Sequence, residues 1–449
     1  MQNRSPDIKG EGHPAICSDI EIRTPKRNKS LKSKKELFPY YAGFSEEFAQ
    51  DVLRTCPEHS NILDPWNGSG TTTFVTQNLG LKSIGLDLNP AMVVVSKARL
   101  SFLDDIRLAE NELEALSLNF PGASFFNACD VLEVWVGREA SYYFRWIVCS
   151  ALQLDPNETN ISLEVISDAV SSAAAWQCFI ILTVFRVVKN NAMIEKSSNP
   201  TWIKSRKLET PAGTGPNLIE WKALLRTEFS RLSEISLADQ NQNFISNHEV
   251  SAILCASSEK MPISNDSIDF VLTSPPYCTR IDYAKSTLIE LCVLGLPLDE
   301  IDGKVRRSLM GTTAIKNVQN SLDLIPSDKC RILLDRIKNH ASSGSKSYYF
   351  KNFSQYFHSL NNSIGEISRV LKVGGISYVV VQGSHYKELE IDLPGIFEEL
   401  SCSHGITLKS MLSFESSKHF GRINIKSLKY KTHSIMNEKV LILEKSDIS

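Results

Sequence analysis

The sequence contains no Cys-x-x-Cys pair, although ten cysteines are spread over its 449 residues. Paired cysteines at that spacing build many zinc sites and redox centres, so their absence argues against both. Scattered single thiols are typical of proteins that stay reduced in the cytosol. We therefore expect no structural disulfide and no bound metal.

Long apolar runs free of charge are also missing. Residues 1–30 have no apolar segment of the signal-peptide kind, so secretory targeting is not predicted. The most hydrophobic stretch, residues 170–188, contains Gln177 and Arg186, whereas a membrane span needs about 20 predominantly apolar residues. We expect a buried helix near residues 168–188, and a cytoplasmic protein that does not associate with membranes.

An excess of either charge is absent too, since 49 Lys and Arg oppose 51 Asp and Glu for a net charge of −2. This balance argues against a protein that binds nucleic acid with its whole surface, so contacts with an anionic polymer have to be local. Residues 23–35 form one local feature, because they hold seven basic residues and no acidic one. We interpret residues 1–36 as a basic tail that is either solvated or a phosphate-binding arm.

Alternating strand and helix patterns are present in two separated parts of the chain. Residues 61–100 predict strand, glycine turn, helix, strand and helix, which is one βαβ unit of a parallel sheet. Residues 101–249 lose the alternation and predict a mainly helical insert. The order indicates an α/β fold with a doubly wound, mostly parallel sheet and an antiparallel end strand. The predicted strands lie near residues 62–63, 82–86, 250–256 and 268–273, after Gly375, and at 406–412 and 438–445.

A glycine turn, GSG at residues 68–70, follows the first predicted strand. In a doubly wound sheet such a turn lets a nucleotide-like ligand lie against the backbone. Asp87 ends the second strand, where a carboxylate is placed to accept hydrogen bonds from ribose hydroxyls. A dinucleotide fingerprint would need another glycine where Thr73 stands, so the turn favours a cofactor without a pyrophosphate, S-adenosylmethionine. Asp64 is either part of this site or the cap of the following helix.

A rigid corner, Ser274-Pro275-Pro276-Tyr277, follows the predicted strand at residues 268–273. Proline has no N–H and cannot continue a strand ladder, which leaves the Pro275 carbonyl free as an acceptor. With the Ser274 hydroxyl, this carbonyl can hold both N–H groups of an exocyclic base amine and draw its nitrogen toward tetrahedral geometry. Tyr277 offers a face on which an extruded base can stack, a contact worth about 1–3 kcal/mol. An isolated corner of this kind is as often an ordinary loop.

In combination, these segments resemble the motifs of the amino-group DNA methyltransferases. The motifs follow one another in the order X, I, II and IV, with a long insert before motif IV. The matching segments are FPYYAGF (38–44, motif X), DPWNGSGTT (64–72, motif I), GLDLNP (85–90, motif II), TSPPY (273–277, motif IV) and ISRVLKVGGISYVVVQGSHY (367–386, the helix and strand that follow).

The resemblance implies a Rossmann-like class I methyltransferase. Its catalytic domain would comprise residues 37–100 and 250–449, and the insert at residues 101–249 would be either a target-recognition region or a scaffold. The implied cofactor is S-adenosylmethionine and the implied partner is DNA. The implied base-binding residues are Ser274, Pro275, Pro276 and Tyr277, and the implied cofactor-binding residues are Phe38, Tyr40, Asp64, Trp66, Gly68, Gly70, Thr71, Asp87 and Leu88.

Several basic residues are candidate DNA contacts. Arg280 follows the corner and lies either beside the extruded base or in an ion pair with Asp282 that fixes the loop. The other candidates come from the insert and from basic segments near residues 306–313 and 419–431. The full set is Arg280, Arg186, Lys204, Arg206, Arg306 and Arg422.

By the pattern of this family, serine at the first position of the corner favours cytosine N4, whereas Asp or Asn marks adenine N6. The resemblance therefore implies methyl transfer to cytosine N4 by a modification enzyme of a restriction or antiphage system, with partner proteins of that system. Adenine N6 methylation, amine methylation of RNA, and a non-catalytic cofactor-binding subunit of a defence complex are the alternatives. The chain departs from the pattern at Ala256-Ser257, where relatives commonly show Gly-Asp, so an acid that often helps hold the cofactor or the base is missing.

Overall fold

The computed structural model describes most of the chain. The basic run at residues 23–35 falls mostly outside the described part, and so does a portion of the insert. Within the described part, no helix combines the length and the apolarity that crossing a bilayer requires. The described residues are 22–26, 37–39, 43–127, 129–158, 161–192, 215–239, 251–278, 281–315, 325–414 and 438–447.

The strands of the described residues form one large sheet and one small hairpin. They are β1 (Asn61–Asp64), β2 (Lys82–Asp87), β3 (Ser251–Cys255), β4 (Ile268–Thr273), β5 (Leu371–Gln382), β6 (Ser384–Tyr386), β7 (Leu389–Ile391), β8 (Ile406–Phe414) and β9 (Glu438–Lys445). The seven-stranded sheet has the order β3-β2-β1-β4-β5-β9-β8, and β6 pairs with β7.

Parallel pairing joins β3, β2, β1, β4 and β5, and β9 runs antiparallel to both of its neighbours. The predicted mostly parallel sheet with antiparallel pairing at one end is therefore confirmed, and the antiparallel strand lies second from the edge because β8 pairs outside it. The chain runs from β1 to β2 on one side and later returns to β4 on the other. A cleft opens at such a switch point, beyond the carboxyl ends of the strands.

Helices cover both faces of the sheet. They are α1 (Glu46–Leu53), α2 (Thr71–Asn78), α3 (Pro90–Arg99), α4 (Leu103–Leu118), α5 (Glu133–Val136), α6 (Arg138–Leu152), α7 (Leu163–Ser172), α8 (Ala175–Asn191), α9 (Leu218–Asp239), α10 (Tyr283–Ser286), α11 (Leu288–Val293), α12 (Leu298–Glu300), α13 (Arg306–Ser308), α14 (Asp328–Lys338), α15 (Phe350–Val370) and α16 (Leu393–Ser403). Shorter turns of other helix types lie at Ala123–Phe125, Ile301–Val305 and Ser345–Tyr349.

Two apolar cores lie on opposite faces of the sheet, because successive strand side chains point to opposite sides. Phe270 of β4 and Tyr378 of β5 face the core formed with α1, α3 and the insert helices. Their neighbours Val271 and Val379 face the core formed with α14, α15 and α16. The helical insert is thus part of the larger core rather than a separate body, and α8 packs directly on α3.

The single apolar helix predicted near residues 168–188 is instead two helices, α7 and α8. Lys97 ends the first by donating from Nζ to the carbonyls of Ser171 (2.5 Å) and Ala173 (2.9 Å). Gln177 starts the second, because its side-chain oxygen accepts from the backbone N–H of Ala174 at 2.6 Å. These partners satisfy backbone groups that a break in a buried helix would otherwise leave unpaired.

Two other local features define the bounds of elements. Ser45 caps α1, since its hydroxyl oxygen accepts from the N–H of Phe48 at 3.2 Å. The strand predicted after Gly375 begins earlier, at Leu371, so Gly374 and Gly375 lie inside β5, where the pairing with β4 shifts register between Ile268 and Phe270. A glycine pair therefore marks an irregularity in this strand and not its start.

Candidate active site

The glycine turn between β1 and α2 is tied to the end of β2. The backbone N–H of Gly68 donates to Asp87 Oδ2 at 2.9 Å, and the N–H of Asn67 donates to the carbonyl of Leu86 at 2.9 Å. Asp87 Oδ1 accepts from the N–H of Asn89 at 2.8 Å. Each carboxylate oxygen has two acceptor sites, so Asp87 is held by backbone groups and still has capacity to bind hydroxyl groups.

The glycines of this turn have backbone angles that favour glycine. Gly68 has φ 51° and Gly70 has φ 78°. A Cβ atom added at Gly70 would lie 2.7 Å from Ser96 Cβ of α3, closer than side chains approach each other. Gly70 therefore lets α2 begin directly against α3, which sets one wall of the cleft.

Asp64 braces the floor of the cleft. It is 3% exposed, and its carboxylate accepts from Thr273 Oγ1 (2.6 Å), Thr72 Oγ1 (2.6 Å) and the N–H of Trp66 (3.1 Å). Because Thr273 ends β4 and Thr72 belongs to α2, one side chain joins the ends of β1 and β4 to the helix. The helix cap considered for Asp64 is instead supplied by Gly70, without a side-chain bond.

Burial raises the pKa of both acids of this region. Burial raises the pKa of Asp64 to about 6, against the hydrogen bonds from Thr273 and Thr72. Burial also raises the pKa of Asp87 to about 6, against the two backbone N–H donors, with a smaller contribution from the nearby charge of Asp64. The ionised form of Asp87 is therefore the main form only above that pH.

The proline corner presents acceptors at the end of β4. Ser274 Oγ donates its hydrogen to the carbonyl of Val380 at 2.9 Å, so the remaining lone pairs of this oxygen can accept. Within the described residues no group donates to the Pro275 carbonyl, whereas the Pro276 carbonyl accepts from Tyr356 Oη at 2.9 Å. Burial raises the pKa of Tyr356, which keeps its phenol a donor. The corner is thereby fixed from behind, with two acceptors left over.

The cleft brings the two predicted halves of the site together. It has a volume of about 1000 Å³, including the space open to solvent. The glycine turn and the proline corner line the same cleft, and Gly43 and Phe44 close one end. The predicted site residues that line it are Asp64, Trp66, Gly68, Thr71, Asp87, Leu88, Ser274, Pro275, Pro276 and Tyr277.

Two of the other predicted cofactor residues do not line the cleft. Gly70 lies behind it, in contact with α3. Phe38 is buried in the core, where Lys189 Nζ lies 5.3 Å from its ring centre. Tyr40 lies outside the described residues. Phe44, from the same sequence segment, lines the cleft.

Two of the candidate DNA contacts form ion pairs with other side chains, and the remaining four lie outside the described residues. Arg186 Nε lies 3.3 Å from Glu228 Oε1 in a half-buried ion pair between α8 and α9. Arg306 Nε donates to Asp282 Oδ2 at 2.6 Å. A contact of either residue with DNA stays a prediction. Four more candidates lie outside the described residues: Arg280, Lys204, Arg206 and Arg422.

Some residues at the cleft were not found from the sequence. Glu259 lines it, two positions after Ser257, and its Oε2 accepts from Asn362 Nδ2 at 3.0 Å. Ser308, Leu309 and Met310 line it as well. Glu259 could have been noticed as the nearest acid after β3. Nothing in the pattern of residues 308–310 places them at the site, because they reach it through long-range packing.

The residues present fit S-adenosylmethionine. Asp87 offers a carboxylate to a ribose, and Leu88 and Met92 offer apolar surface beside it. Asn67 lines the same cleft, and its side-chain amide packs against Gly85 of β2. The free acceptor sites of Asp87 are the feature that fits the ribose hydroxyls of the cofactor.

Comparisons with known proteins find similarity to DNA methyltransferases. A family model described as DNA methylase, covering the N6 and N4 methyltransferases, matches residues 11–98. The Type II methyltransferase M.BsoBI of Geobacillus stearothermophilus is 27% identical to this chain. The alignment covers 64% of this chain and 56% of the length of that relative. The Type II methyltransferase M.MvaI of Kocuria varians is 23% identical over 94% of this chain and 92% of its own.

One solved structure, a geranyl diphosphate methyltransferase in complex with SAM, aligns with a TM-score of 0.32 at 8% identity, over 89% of this chain and 84% of its own. A score of this size is too low to support a statement about fold or function. The resemblance to the S-adenosylmethionine-dependent amino-group DNA methyltransferases is therefore confirmed, at a level that covers both the cytosine N4 and the adenine N6 enzymes.

Proposed function

We propose that this protein transfers the methyl group of S-adenosylmethionine to an exocyclic amino group of a base in DNA, with cytosine N4 as the favoured target. The observation that carries the proposal is the single cleft shared by Asp87 and the proline corner. A cofactor held at one end and a base held at the other would meet inside it. The serine in the corner favours cytosine over adenine.

The corner residues orient the reacting amine. Ser274 Oγ and the Pro275 carbonyl accept its two N–H groups, which draws the nitrogen lone pair away from the base ring. S-adenosylmethionine supplies an electrophilic methyl carbon bonded to sulfur. The Tyr277 ring stacks on the base and keeps it extruded from the duplex. Transfer would form the bond between nitrogen and the methyl carbon as the bond between that carbon and sulfur breaks, which leaves S-adenosylhomocysteine. The nitrogen then loses its extra proton to solvent.

The environment of Cys278, next to the corner, argues against methylation of a ring carbon through a cysteine nucleophile. A nucleophilic thiolate needs a lowered pKa and access to the base. Cys278 is buried, and burial raises its pKa well above the ordinary value. It stays a neutral thiol, which supports direct attack by the amine without a covalent enzyme intermediate.

Glu259 supplies an acid where the motif pattern lacks one. Glu259 lines the cleft beyond the end of β3, whose last residue, Cys255, pairs with Asp87 of β2. Asn362 fixes one of its oxygens, and within the described residues the other oxygen has no hydrogen-bond partner. We assign this oxygen to the amino group of the cofactor's adenine.

The relatives named above are Type II methyltransferases, and we place this protein in the same biological role, as the modification enzyme of a restriction or antiphage system. Such an enzyme marks one short sequence wherever it occurs. Single-molecule sequencing of DNA from cells that express the protein should show a modified base in one fixed context. Modification scattered without a common context would contradict this role.

The test of the activity is transfer of labelled methyl groups. The purified protein is incubated with labelled S-adenosylmethionine and either unmethylated duplex DNA or tRNA. We expect label in the DNA only, and loss of labelling in the variant Ser274→Ala/Tyr277→Ala with cofactor binding retained. Ser267→Ala, at a surface hydroxyl just before β4, is the matched control. Label in tRNA, or equal labelling by both variants, would refute the proposal.

A further inference from the structure

Residues 308–313, here called the strap, lie along the cleft on the side of the proline corner. Ser308, Leu309 and Met310 line the cleft together with Pro276 and Tyr277. Met310 is 8% exposed and packs in the same core as Cys278. The strap thus adjoins the corner, at the end of the cleft assigned to the base.

Arg306 closes a ring of hydrogen bonds around the strap. Its Nε donates to Asp282 Oδ2 at 2.6 Å, and its Nη2 donates to Thr313 Oγ1 at 2.8 Å. Thr313 Oγ1 in turn donates to the same Asp282 oxygen at 2.8 Å. Arg306 precedes the strap and Thr313 ends it, so the three side chains fasten both ends to the segment that follows the corner.

The ring is largely shielded from water. The Asp282 side chain is 1% exposed and that of Arg306 is 23% exposed. Asp282 Oδ1 also accepts from the N–H of Lys285 and caps α10 at 3.1 Å. Buried ion pairs with several hydrogen bonds fix geometry much better than exposed pairs do.

Other contacts fix the second half of the strap, residues 311–313. Asn352 Nδ2 donates to the Thr312 carbonyl at 2.6 Å, and Tyr348 Oη donates to the Thr313 carbonyl at 2.9 Å. Gly311 has φ 75°, and a Cβ there would lie 2.9 Å from the Tyr277 carbonyl. The strap backbone therefore touches the backbone of the corner, and a change in one displaces the other.

We propose that the strap is the fixed second wall of the base pocket, and that Arg306 and Asp282 are positioning residues that hold this wall, not groups that bind DNA phosphates. The proposal rests on the function proposed above. Leu309 and Met310 give the wall an apolar surface against which the plane or edge of an extruded base packs, opposite Tyr277. The distance between strap and corner then limits the size of base that enters.

The test compares Arg306→Gln with Arg307→Gln. Arg307 is the next residue and is exposed, so the pair removes the same charge with and without the ring. Hydrogen exchange of the peptide covering residues 306–315, measured on the free protein, should become faster in Arg306→Gln and stay unchanged in Arg307→Gln. This readout requires neither DNA nor cofactor.

The kinetic expectation follows from displacement of the wall. Methyl transfer to DNA at subsaturating substrate should fall about a hundredfold in Arg306→Gln, as for displacements of about 1 Å at active sites. The affinity of Arg306→Gln for S-adenosylhomocysteine should stay within about twofold of the wild-type affinity, since the hydrogen-bonded ring makes no contact with Asp87 or Gly68. The slope of log affinity for DNA against log salt should match the wild type, whereas loss of a phosphate contact lowers it by about one.

Three outcomes would overturn the proposal. Unchanged exchange in Arg306→Gln would show that the ring does not hold the strap. A salt slope lowered by about one, with unchanged exchange, would make Arg306 a phosphate contact. Absence of methyl transfer by the wild type would remove the proposed function, and with it the base-pocket role, while the exchange result would still decide whether the ring exists. If Arg306→Gln does not fold, Thr313→Val serves instead, because it removes one hydroxyl and no charge.

Discussion

Replacing Gly70 by alanine should damage the cofactor end of the cleft specifically. Gly70 starts α2 with φ 78°, and the new Cβ would lie 2.7 Å from Ser96 Cβ. Ser96 is fully buried in α3, so it cannot swing away. The helix start or the glycine turn has to move, and the N–H of Gly68 moves with it away from Asp87.

The cost has two parts. Left-handed backbone at a non-glycine residue costs about 1–2 kcal/mol, and overpacking a tight contact costs about 1–3 kcal/mol more. Gly80, just past the other end of α2, isolates the first part, because it has φ 70° and nothing within 4 Å of an added Cβ. Gly80→Ala should therefore lose about 1–2 kcal/mol of unfolding free energy, and Gly70→Ala about 2–5 kcal/mol.

The assay combines urea unfolding with calorimetric binding of S-adenosylhomocysteine. We expect Gly70→Ala to bind about tenfold or more weakly, which corresponds to about 1.4 kcal/mol, and Gly80→Ala to bind like the wild type. Adding Ser96→Gly to Gly70→Ala removes the atom that the new Cβ meets and should recover part of the affinity. Equal stability and affinity for the two single variants, or no recovery in the double variant, would refute this reasoning.

Further predictions concern single groups of the cleft. Cofactor affinity should fall about tenfold per pH unit below about pH 6, because the pKa of Asp87 is raised and its ionised, accepting form is lost as the pH falls through that value. Titration calorimetry from pH 5 to 8 should show this fall. The variant Asp87→Asn should bind the cofactor more weakly, with a much smaller pH dependence. Ser274→Ala should lower single-turnover methyl transfer with little change in cofactor affinity, and an unchanged rate would exclude its hydroxyl as an acceptor. Tyr356→Phe leaves the partly buried Pro276 carbonyl without its donor, so urea unfolding should show a loss of about 1 kcal/mol. Unchanged stability would mean that another donor replaces it.

Strand positions were predictable because the apolar runs that precede polar or glycine positions are strong signals in a parallel sheet. β1, β2, β3 and β4 lie where the pattern placed them, and so do the glycine turn and the corner at their carboxyl ends. The neighbourhood of Gly68 and Ser274 then follows from topology, because parallel strand ends meet at one edge of a sheet. These are local signals combined with one general rule.

Side-chain partners could not be predicted in the same way. Asp64 looked like a ligand or a cap, and its use as a brace between Thr72 and Thr273 depends on the register of three elements. Arg306 looked like a phosphate contact, and its ring with Asp282 joins residues brought together by packing. The break between α7 and α8 depends on Lys97, far away in sequence. Such contacts are set by tertiary structure, which no local pattern encodes.

The most direct test of the central claim is the identity of the modified nucleoside. Unmethylated DNA is treated with the protein and labelled S-adenosylmethionine, digested to nucleosides and analysed by mass spectrometry. We predict label in N4-methyldeoxycytidine, and none with Ser274→Ala/Tyr277→Ala. Label in 5-methyldeoxycytidine, or no labelled nucleoside at all, would contradict the claim that the corner holds an exocyclic amine beside the cofactor.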